Sequence, residues 1–371
     1  MNAVKIFWLF NHPAPYKVDF FNELGRYCDL TAMFERDQEG GRNEEFYSHH
    51  ANNYTEIRCH ALPLGSMNSL SGKPIGHLKK NRYDAIVING YRSFTEMGTI
   101  TYCRRHRIPY VFAINGGIKK EKEGRLAKAI KRKFIAGASA YLCPDEVSAD
   151  YLVYYGARPE RIALFPYSSI FEKEVLKSPL SMKEKKKIRQ EFGIEGRHVY
   201  VSSGFFIPRK NFGQLIRLWS SMPPEDTLVI AGEGPLQPEL ESLIAKLNLA
   251  NVKLLPFLPH EQELRLFSGA DAFLFLSRED IYGHVIVEAL SQGLPIVSSP
   301  RVNAARHLIR PGRNGYLVPL EDEQALLQAF AAVLNPAFPK ECLKVARENT
   351  IEVSASFHRA YFSSYIKKGP R

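Results

Sequence analysis

Cysteine is scarce in this sequence, and its placement argues against two kinds of stabilised domain. The five cysteines are odd in number, contain no Cys-x-x-Cys pair and stand far apart, at Cys28, Cys59, Cys103, Cys143 and Cys342. Disulfide frameworks and structural zinc sites usually show an even number of cysteines or closely spaced pairs. The sequence therefore indicates neither, and it fits a reducing cytoplasm.

Long apolar runs are also missing. Nowhere do about 18 apolar residues follow one another, as a membrane-spanning helix requires. The N-terminus has one short apolar run, at 6–10, before polar residues and prolines. It is too brief for the core of a signal peptide and predicts a first buried strand instead. Any membrane contact is therefore expected to be peripheral.

Internal repeats and low-complexity tracts are absent, so we expect ordinary globular domains. The 371 residues, 45% of them hydrophobic, are enough for two separate cores. The chain has 50 Lys and Arg against 39 Asp and Glu, a net charge of +11. This excess favours anionic partners such as nucleotide diphosphates, acidic lipids or nucleic acid.

Short apolar runs alternate with longer amphipathic segments. They lie at 5–10, 30–34, 85–88, 110–114 and 140–143, and then at 199–202, 227–231, 252–256, 272–276 and 295–298. The alternation predicts an α/β fold with parallel sheets. A charged linker separates the two series. We therefore place one Rossmann-like domain at 1–170 and a second at 171–353, with a helix at about 354–366 that can pack back on the first.

The densest group of unusual residues lies at 277–299, where a strand leads through a glycine into an amphipathic helix. Gly283 allows close approach of a ligand, and the amides of His284 and Val285 suit a phosphate. Asp280 and Glu288 can accept hydrogen bonds from sugar or ribose hydroxyls. From the residues alone an alternative is equally open, in which Asp280 caps the helix, Glu288 is solvated and Gly283 only makes a turn.

This segment resembles the Glu-x7-Glu signature of glycosyltransferase family 4, reading here Asp280-Ile-Tyr-Gly-His-Val-Ile-Val-Glu288-Ala. Three more motifs follow the family's order, namely Gly204-Phe-Phe-Ile-Pro-Arg-Lys-Asn-Phe, Ala231-Gly-Glu-Gly-Pro and Arg313-Asn-Gly-Tyr-Leu-Val. They cover about 199–319. The first half resembles the family more loosely, through Pro15-Tyr16, Asn115-Gly-Gly, Tyr155-Gly-Ala-Arg-Pro-Glu-Arg-Ile and Pro166-Tyr167.

The resemblance implies a GT-B fold, with two Rossmann-like domains facing each other across a cleft. In the family, a lysine after the first strand of the C-terminal domain neutralises the donor diphosphate, and Lys210 matches that lysine. Phe205 stands where an arginine commonly follows Gly204, so Arg209 is the nearest substitute. The alternative for Arg209 and Lys210 is an ordinary basic helix start.

Further donor residues follow from the resemblance. Glu288 matches the acceptor of ribose hydroxyls, and His284 and Val285 match the amides that meet the phosphates beside Gly283. Gly232 and Gly234 are expected to serve a tight turn and not the ligand.

Asp280 stands where the family has the glutamate that positions the donor sugar. Its shorter side chain alters sugar placement, for which the neighbouring Glu279 could compensate. The loop from Pro256 to Leu258 corresponds to the nucleobase site, and Gly204 lies at the diphosphate.

The segment 119–133 holds eight basic residues against two glutamates, a net +6. Apolar residues at helical spacing within or beside it, Leu126, Ala129, Ile130 and Phe134, predict a stripe flanked by cations, as in helices that lie on anionic membranes. A core-packing helix with a solvated basic face is equally compatible. Family members with lipid-linked acceptors use similar segments at membranes, which favours the first interpretation.

The acceptor side is harder to predict. Asn115 and Gly116 occupy the place where many family members present a histidine to the donor sugar, so no general base is identified. Asn11, His12 and Tyr16, on the loop after the first strand, are expected to line the acceptor site.

The resulting prediction is a cytoplasmic, retaining glycosyltransferase, at the inner face of the cell membrane where membrane contact applies. It would move a sugar from a nucleotide diphosphate sugar, with a UDP-sugar expected, to a carbohydrate or lipid-linked acceptor in bacterial surface polysaccharide assembly. We expect no cofactor, no essential metal and no nucleic-acid partner. The alternatives are a nucleotide-sugar epimerase, a phosphorylase, or a non-catalytic scaffold that only binds nucleotide sugar.

Overall fold

The computed structural model of the chain describes residues 3–37, 49–63, 68–119 and 122–369. The chain forms two compact units. Unit 1 comprises Met1–Ser169 together with Thr350–Arg371, and unit 2 is the continuous segment Ile170–Asn349. Each unit contains a parallel sheet accompanied by helices, which confirms the predicted α/β class.

Unit 1 is built on seven parallel strands. Its strands are β1 (Lys5–Phe10), β2 (Asp29–Phe34), β3 (Thr55–Arg58), β6 (Ala85–Asn89), β7 (Val111–Ala113), β8 (Ala140–Cys143) and β9 (Ile162–Leu164), beside a small antiparallel pair, β4 (Leu62–Pro63) and β5 (Ser69–Leu70). The sheet order is β3-β2-β1-β6-β7-β8-β9. Its helices are α1 (Pro15–Gly25), α2 (Lys73–Lys80), α3 (Phe94–Arg105), α4 (Arg125–Ile135), α5 (Glu146–Tyr154) and α14 (Ile351–Lys367).

Unit 2 repeats the plan with six parallel strands. They are β10 (Val199–Ser203), β11 (Thr227–Ala231), β12 (Val252–Leu255), β13 (Ala272–Phe275), β14 (Ile296–Ser298) and β15 (Gly315–Leu317), in the order β12-β11-β10-β13-β14-β15. The helices are α6 (Met182–Glu191), α7 (Phe212–Trp219), α8 (Gln237–Lys246), α9 (His260–Gly269), α10 (Val285–Ser291), α11 (Asn303–Leu308), α12 (Glu323–Ala332) and α13 (Phe338–Arg347). The order reverses beside β10, and ligands of such sheets bind at the carboxyl ends near the reversal.

The last helix belongs to unit 1, where α14 packs against α1. His358 is fully buried there, with its ring beside Trp8, Phe20 and Phe165. Burial lowers the pKa of His358 to about 3, so the imidazole is neutral and serves as part of the core. The hydroxyls of Tyr365 and Ser139 also share a hydrogen bond, which ties the end of α14 to the sheet.

All ten predicted strands are present, and each predicted boundary lies within one residue of the observed one. Three strands of the two parallel sheets were not predicted. These are β3, β9 and β15, and each is an edge strand of its sheet. Their residues are mostly only half-buried, so they lack the continuous apolar run that marks a central strand.

Candidate functional site

The turn after β10 depends on close backbone approaches. A Cβ added to Gly232 would lie 2.1 Å from the carbonyl oxygen of Gly204, and one added to Gly234 would lie 2.6 Å from the nitrogen of Phe206. Gly204, Gly232 and Gly234 all have positive φ, between 147° and 151°. No side chain fits at Gly232 or Gly234, which agrees with assigning these two residues to the turn.

Lys210, Arg209 and Asp280 meet at the carboxyl edge of this sheet. The Nζ of Lys210 donates to Asp280 Oδ2 at 2.6 Å, and Nη1 of Arg209 donates to the same oxygen at 3.2 Å. Lys210 also lies over the ring of Phe275, 4.6 Å from its centroid. The structure thus brings together three residues that the sequence predicted for the donor site.

Burial and charge act against each other in this cluster. Burial would raise the pKa of Asp280, but the charges of Lys210 and Arg209 outweigh it and hold that pKa below its usual value. Burial lowers the pKa of Lys210, and Asp280 offsets part of that effect. Only about a tenth of each of these two side chains is exposed, whereas about half of Arg209 is. The arrangement is one shielded and one half-exposed cation around a single carboxylate, which is suited to exchange with a bound anion.

Main-chain hydrogen bonds hold the two segments that carry this cluster. The N–H of Arg278 and the hydroxyl of Ser277 both donate to the carbonyl oxygen of Arg209. Asn211, which has φ +61° and directly precedes α7, donates its side-chain amide to the carbonyl of Leu276 at 3.1 Å. The positions of the cations and of the acid are therefore set by backbone and not by the flexible side chains alone.

Gly283 and Glu288 follow Asp280 toward and along α10. Gly283 has φ +93°, a conformation strained for other residues, and a Cβ there would lie 3.0 Å from Val302 Cγ1, a tight contact, so both observations favour glycine. His284 is the N-cap residue and Val285 the first residue of α10. The carboxylate of Glu288 interacts electrostatically with Lys210. The alternative in which Asp280 caps this helix is not what the structure shows, because His284 holds that position.

Four residues of this edge were not predicted from sequence: Ser203, Glu263, His260 and Glu174. Ser203 donates its hydroxyl to Glu263, and the imidazole of His260 lies 3.4 Å from Glu174. Both contacts join residues at least 60 positions apart in the sequence, so no local sequence pattern predicts them. The available signal was position, since Ser203 directly precedes Gly204 and His260 follows the loop that contains the predicted nucleobase residues Pro256 and Leu258.

The carboxyl edge of unit 1 holds the predicted acceptor residues. Tyr16 was expected on the loop but lies in the first turn of α1, because Pro15 fixes a φ that suits the first helical position. Its ring contacts that of Tyr167 edge-on, with centroids 5.8 Å apart. His12 is buried beneath the turn into α1.

Asn115 and Gly116 follow β7, and Asn89 ends the neighbouring β6. The side-chain oxygens of Asn89 and Asn115 are buried and accept no hydrogen bond from the described part of the chain. Gly116 has φ +146°, a conformation that side chains rarely adopt. Asn89 was not predicted, and it places a second neutral amide on this edge.

The basic segment of unit 1 forms α4, while Lys120 and Glu121 lie outside the described residues. The apolar stripe faces solvent: Leu126 is 76% exposed, Ile130 is 41% exposed, and Ala129 is exposed too. Within this helix, which is described throughout, the buried residue is Ile135. The alternative of a core-packing stripe is therefore wrong for most of the stripe.

The described residues contain neither a metal-binding cluster nor a membrane-spanning helix. No group of three or more His, Cys, Asp or Glu side chains in this part of the chain could hold a metal ion. Nor do any of its helices have the length and apolar character needed to cross a bilayer.

Comparison with known proteins identifies related sequences for both units. Residues 184–351 match the family described as glycosyl transferases group 1, and residues 43–168 match the glycosyl transferase 4-like domain. A Campylobacter jejuni N-acetylgalactosaminyltransferase that acts on a diphospho-undecaprenol substrate is 30% identical over 135 residues, which is 36% of this chain and 36% of that protein. The lipopolysaccharide core glycosyltransferase LpsE of Rhizobium meliloti is 29% identical over 37% of this chain and 39% of its own length.

These sequence matches span well under half the length of either relative. Solved structures match over nearly the whole chain but at low identity, which compares the fold alone. The Anabaena HepE structure with UDP and glucose has a TM-score of 0.73 and 18% identity, covering 98% of this chain and 100% of that one. A Rickettsia africae glycosyltransferase has a TM-score of 0.76 and 12% identity, with both chains fully covered.

Proposed function

Because the chain belongs to the glycosyl transferases of group 1, through residues 184–351, and carries a glycosyl transferase 4-like domain at 43–168, we propose that it transfers a sugar from a nucleotide diphosphate sugar to an acceptor hydroxyl, with retention at the anomeric carbon. A UDP-sugar is the proposed donor, and the HepE structure with UDP-glucose supports that choice. The acceptor is proposed to be a carbohydrate or a lipid-linked sugar.

The contact of Lys210 and Arg209 with one carboxylate carries this proposal. When the bond between the anomeric carbon and the diphosphate breaks, negative charge builds up on the departing phosphate. Two cations fixed by main-chain bonds can stabilise that charge without reorganising. Asp280 holds them in place until the donor arrives, and Glu288, within electrostatic reach of Lys210, is positioned to accept a ribose hydroxyl.

Thermal unfolding in a panel of nucleotides tests donor binding. A ligand that binds the folded state stabilises it by mass action, so UDP and UDP-sugars should raise the midpoint in proportion to the logarithm of their concentration. The matched control is Lys246→Ala, which changes an exposed lysine of α8, beside Lys210→Ala. If no nucleotide diphosphate or nucleotide sugar shifts the wild-type midpoint, the proposed function is wrong.

Retention is tested on the product. With a donor of α configuration, the new linkage should also be α when its anomeric proton is observed by NMR. A β product would contradict the retaining proposal while leaving transfer itself intact.

We place the reaction in bacterial surface polysaccharide assembly. The names of the Campylobacter jejuni and Rhizobium meliloti relatives support this setting, since one acts on a diphospho-undecaprenol substrate and the other in lipopolysaccharide core synthesis. Both settings bring the acceptor to a membrane surface, so a cytoplasmic enzyme in this role would work at the inner face of the cell membrane.

Helix α4 is proposed to contact that surface. Its exposed Leu126, Ala129 and Ile130 lie among lysines and arginines, a combination that inserts apolar groups among anionic headgroups. Some of the cations are already engaged: Lys131 pairs with Glu123 at 2.5 Å, and Lys128 donates to the hydroxyl of Tyr154. These contacts hold one side of the helix against unit 1, while the apolar stripe faces solvent.

Co-sedimentation with lipid vesicles tests this contact. The protein should sediment with vesicles that contain phosphatidylglycerol, less with phosphatidylcholine alone, and less at high salt, because the Debye length shortens. Replacing Leu126 and Ile130 together by Glu should abolish binding. Met182→Glu, which changes an exposed apolar residue on α6 of unit 2, is the matched control. Equal binding of both variants would refute a role for α4.

A non-catalytic nucleotide-sugar-binding scaffold is the second candidate. The observation that favours it is the position of Phe205, 43% exposed where the family commonly has arginine, together with the engagement of Asp280 by both cations. Slow hydrolysis of the donor without acceptor separates the two, since an enzyme shows it and a scaffold does not.

A further inference from the structure

Helix α9 contributes two ionisable side chains to the donor edge that no motif assigns. His260 is its first residue and Glu263 follows three positions later, so both project from the same face of the helix. The helix follows directly on the loop that contains Pro256 and Leu258. Its first turn is therefore brought to the edge by the same chain segment as the proposed nucleobase loop.

Ser203 and the next residue, Gly204, connect Glu263 to the side chain of Lys210. The hydroxyl of Ser203 donates to Glu263 Oε1, and Ser203 is a buried residue at the end of β10. The next residue, Gly204, lies against the Lys210 side chain, since a Cβ there would be 3.4 Å from Lys210 Cε. Glu263 also interacts electrostatically with both Lys210 and Glu288.

The imidazole of His260 is paired with the carboxylate of Glu174. Its imidazole lies 3.4 Å from the Glu174 carboxylate, which also accepts the N–H of Phe171 at 2.6 Å. Burial lowers the pKa of His260, but Glu174, Glu288 and Glu263 together raise it to about 9, so the ring is cationic at neutral pH. An imidazolium therefore stands among three acidic side chains.

The charged neighbours of Glu263 are few and identifiable. Facing it are Glu288 from α10, His260 from its own helix and Lys210. Three charged groups of α6, which packs on α9, pair with other residues: Lys185 and Arg189 pair with Asp271, and Glu191 pairs with Arg265. Burial, and then the charge of Glu288, raises the pKa of Glu263 to about 7.

We propose that Glu263 is a donor-positioning residue, which with Ser203 and His260 fixes the spacing between the Lys210 amine and the Glu288 carboxylate and receives the nucleoside diphosphate in its neutral form. This inference rests on the proposed function. A diphosphate bound at Lys210 adds negative charge near Glu263, so the ionised acid opposes binding and the protonated acid does not. The donor therefore binds together with a proton on Glu263.

Calorimetric titration with UDP-glucose tests this, because the diphosphate of a nucleotide sugar does not itself titrate near neutrality. The wild-type affinity should fall by about three- to tenfold between about pH 6 and pH 8. Glu263→Gln should keep the affinity measured at low pH and lose this dependence. Glu261→Gln, which changes an exposed acid on the same helix, should behave as the wild type.

A second variant decides the matter if Glu263→Gln does not fold. The Ser203 hydroxyl lowers the pKa of Glu263, so Ser203→Ala should move the midpoint of the pH dependence upward. An unchanged midpoint in Ser203→Ala, or an unchanged pH dependence in Glu263→Gln, overturns the inference while leaving donor binding intact. If the wild type binds no nucleotide sugar at any pH, the proposed function fails and this inference with it.

Discussion

The two units place different chemistry on the same framework. At the carboxyl edge of the unit 2 sheet, the acid Asp280 is neutralised by the cations Lys210 and Arg209. At the corresponding edge of unit 1 stand the neutral amides Asn89 and Asn115, whose buried oxygens accept no hydrogen bond from the described residues. Fixed cations suit a diphosphate, and neutral amides suit hydroxyl groups. With the proposed function, unit 2 binds the anionic donor and unit 1 the neutral acceptor, and the residues at the two sheet edges account for the difference.

Buried acids show the same contrast. In unit 1, Glu35 accepts the hydroxyl of Ser69 and lies near Glu96, which caps the start of α3 with Ser93. Burial raises the pKa of Glu35, and burial together with the charge of Glu35 raises that of Glu96 to about 8. Glu96 in unit 1 is thus mostly protonated at neutral pH, whereas Asp280 in unit 2 is ionised and neutralised by cations.

The largest expected effect is the loss of the Lys210 amine. Lys210→Ala should lower the rate of transfer by about 100- to 1000-fold, because it removes a preorganised donor to the departing phosphate. It also leaves Asp280 with Arg209 alone. Initial rates with a saturating UDP-sugar measure this, and Lys246→Ala should leave the rate unchanged. A loss of less than about fivefold would mean that the cation pair is not what distinguishes unit 2.

The next largest expected effect is a pH dependence of stability that differs between the two units. The folded-state pKa of Glu96, about 8, lies above its ordinary value of 4.5, so the folded chain holds a proton that the unfolded chain has released. The free energy of opening unit 1 should therefore fall by about 3 kcal/mol as pH rises from about 5 to about 8. Hydrogen exchange of the β6 amides measures this unit separately.

Glu96→Gln should flatten that slope and leave only the part that the buried Glu35 contributes, whereas Glu160→Gln, which changes an exposed acid of unit 1, should keep the full slope. Amides of β11 in unit 2 serve as the internal reference in the same sample. A slope as steep as that of the wild type in Glu96→Gln would show that protonation of Glu96 does not set the stability of unit 1.

A smaller effect is expected from Asp280→Asn. The substitution releases Lys210 and Arg209 from their carboxylate, so UDP should bind about tenfold more tightly while transfer becomes slower. Asp280→Glu keeps the charge and should bind UDP as the wild type does. Equal UDP affinity in all three proteins would show that the acid and the diphosphate do not compete for the same cations.

The smallest effect concerns unit 1. Asn115→Ala should raise the KM for the acceptor by about three- to tenfold, since one hydrogen bond is worth about 1 kcal/mol, and should leave the affinity for UDP unchanged. Asn81→Ala, an exposed amide after α2, is the control. A weaker UDP affinity in Asn115→Ala would remove the distinction between the two edges.

The fold was largely predictable because the central strands are continuous apolar runs. In the two parallel sheets, the strands that escaped prediction, Thr55–Arg58, Ile162–Leu164 and Gly315–Leu317, lie at sheet edges, where partial exposure removes that pattern. Tyr16 was misplaced because the loop after the first strand is shorter than predicted: Pro15 already begins α1.

The site divides in the same way. Lys210, Asp280 and Gly283 stand in motifs with fixed spacing, so the resemblance located them. The contacts of Ser203 with Glu263 and of Glu174 with His260 join distant segments, and only the folded sheet brings them together. Exposure could not be deduced either: the spacing of Leu126 and Ile130 fits a buried stripe as well as an outward one, and the surrounding structure leaves it outward.

The return of the last helix to unit 1 has a consequence for synthesis on the ribosome. Unit 2 is one uninterrupted segment and can complete its fold as soon as Asn349 has emerged. Unit 1 is the first to be synthesised but the last to complete its fold, because Trp8 and Phe20 pack against aromatic residues of α14, which is translated last. Premature termination a few residues before α14 would therefore damage the half translated first and spare the half translated later.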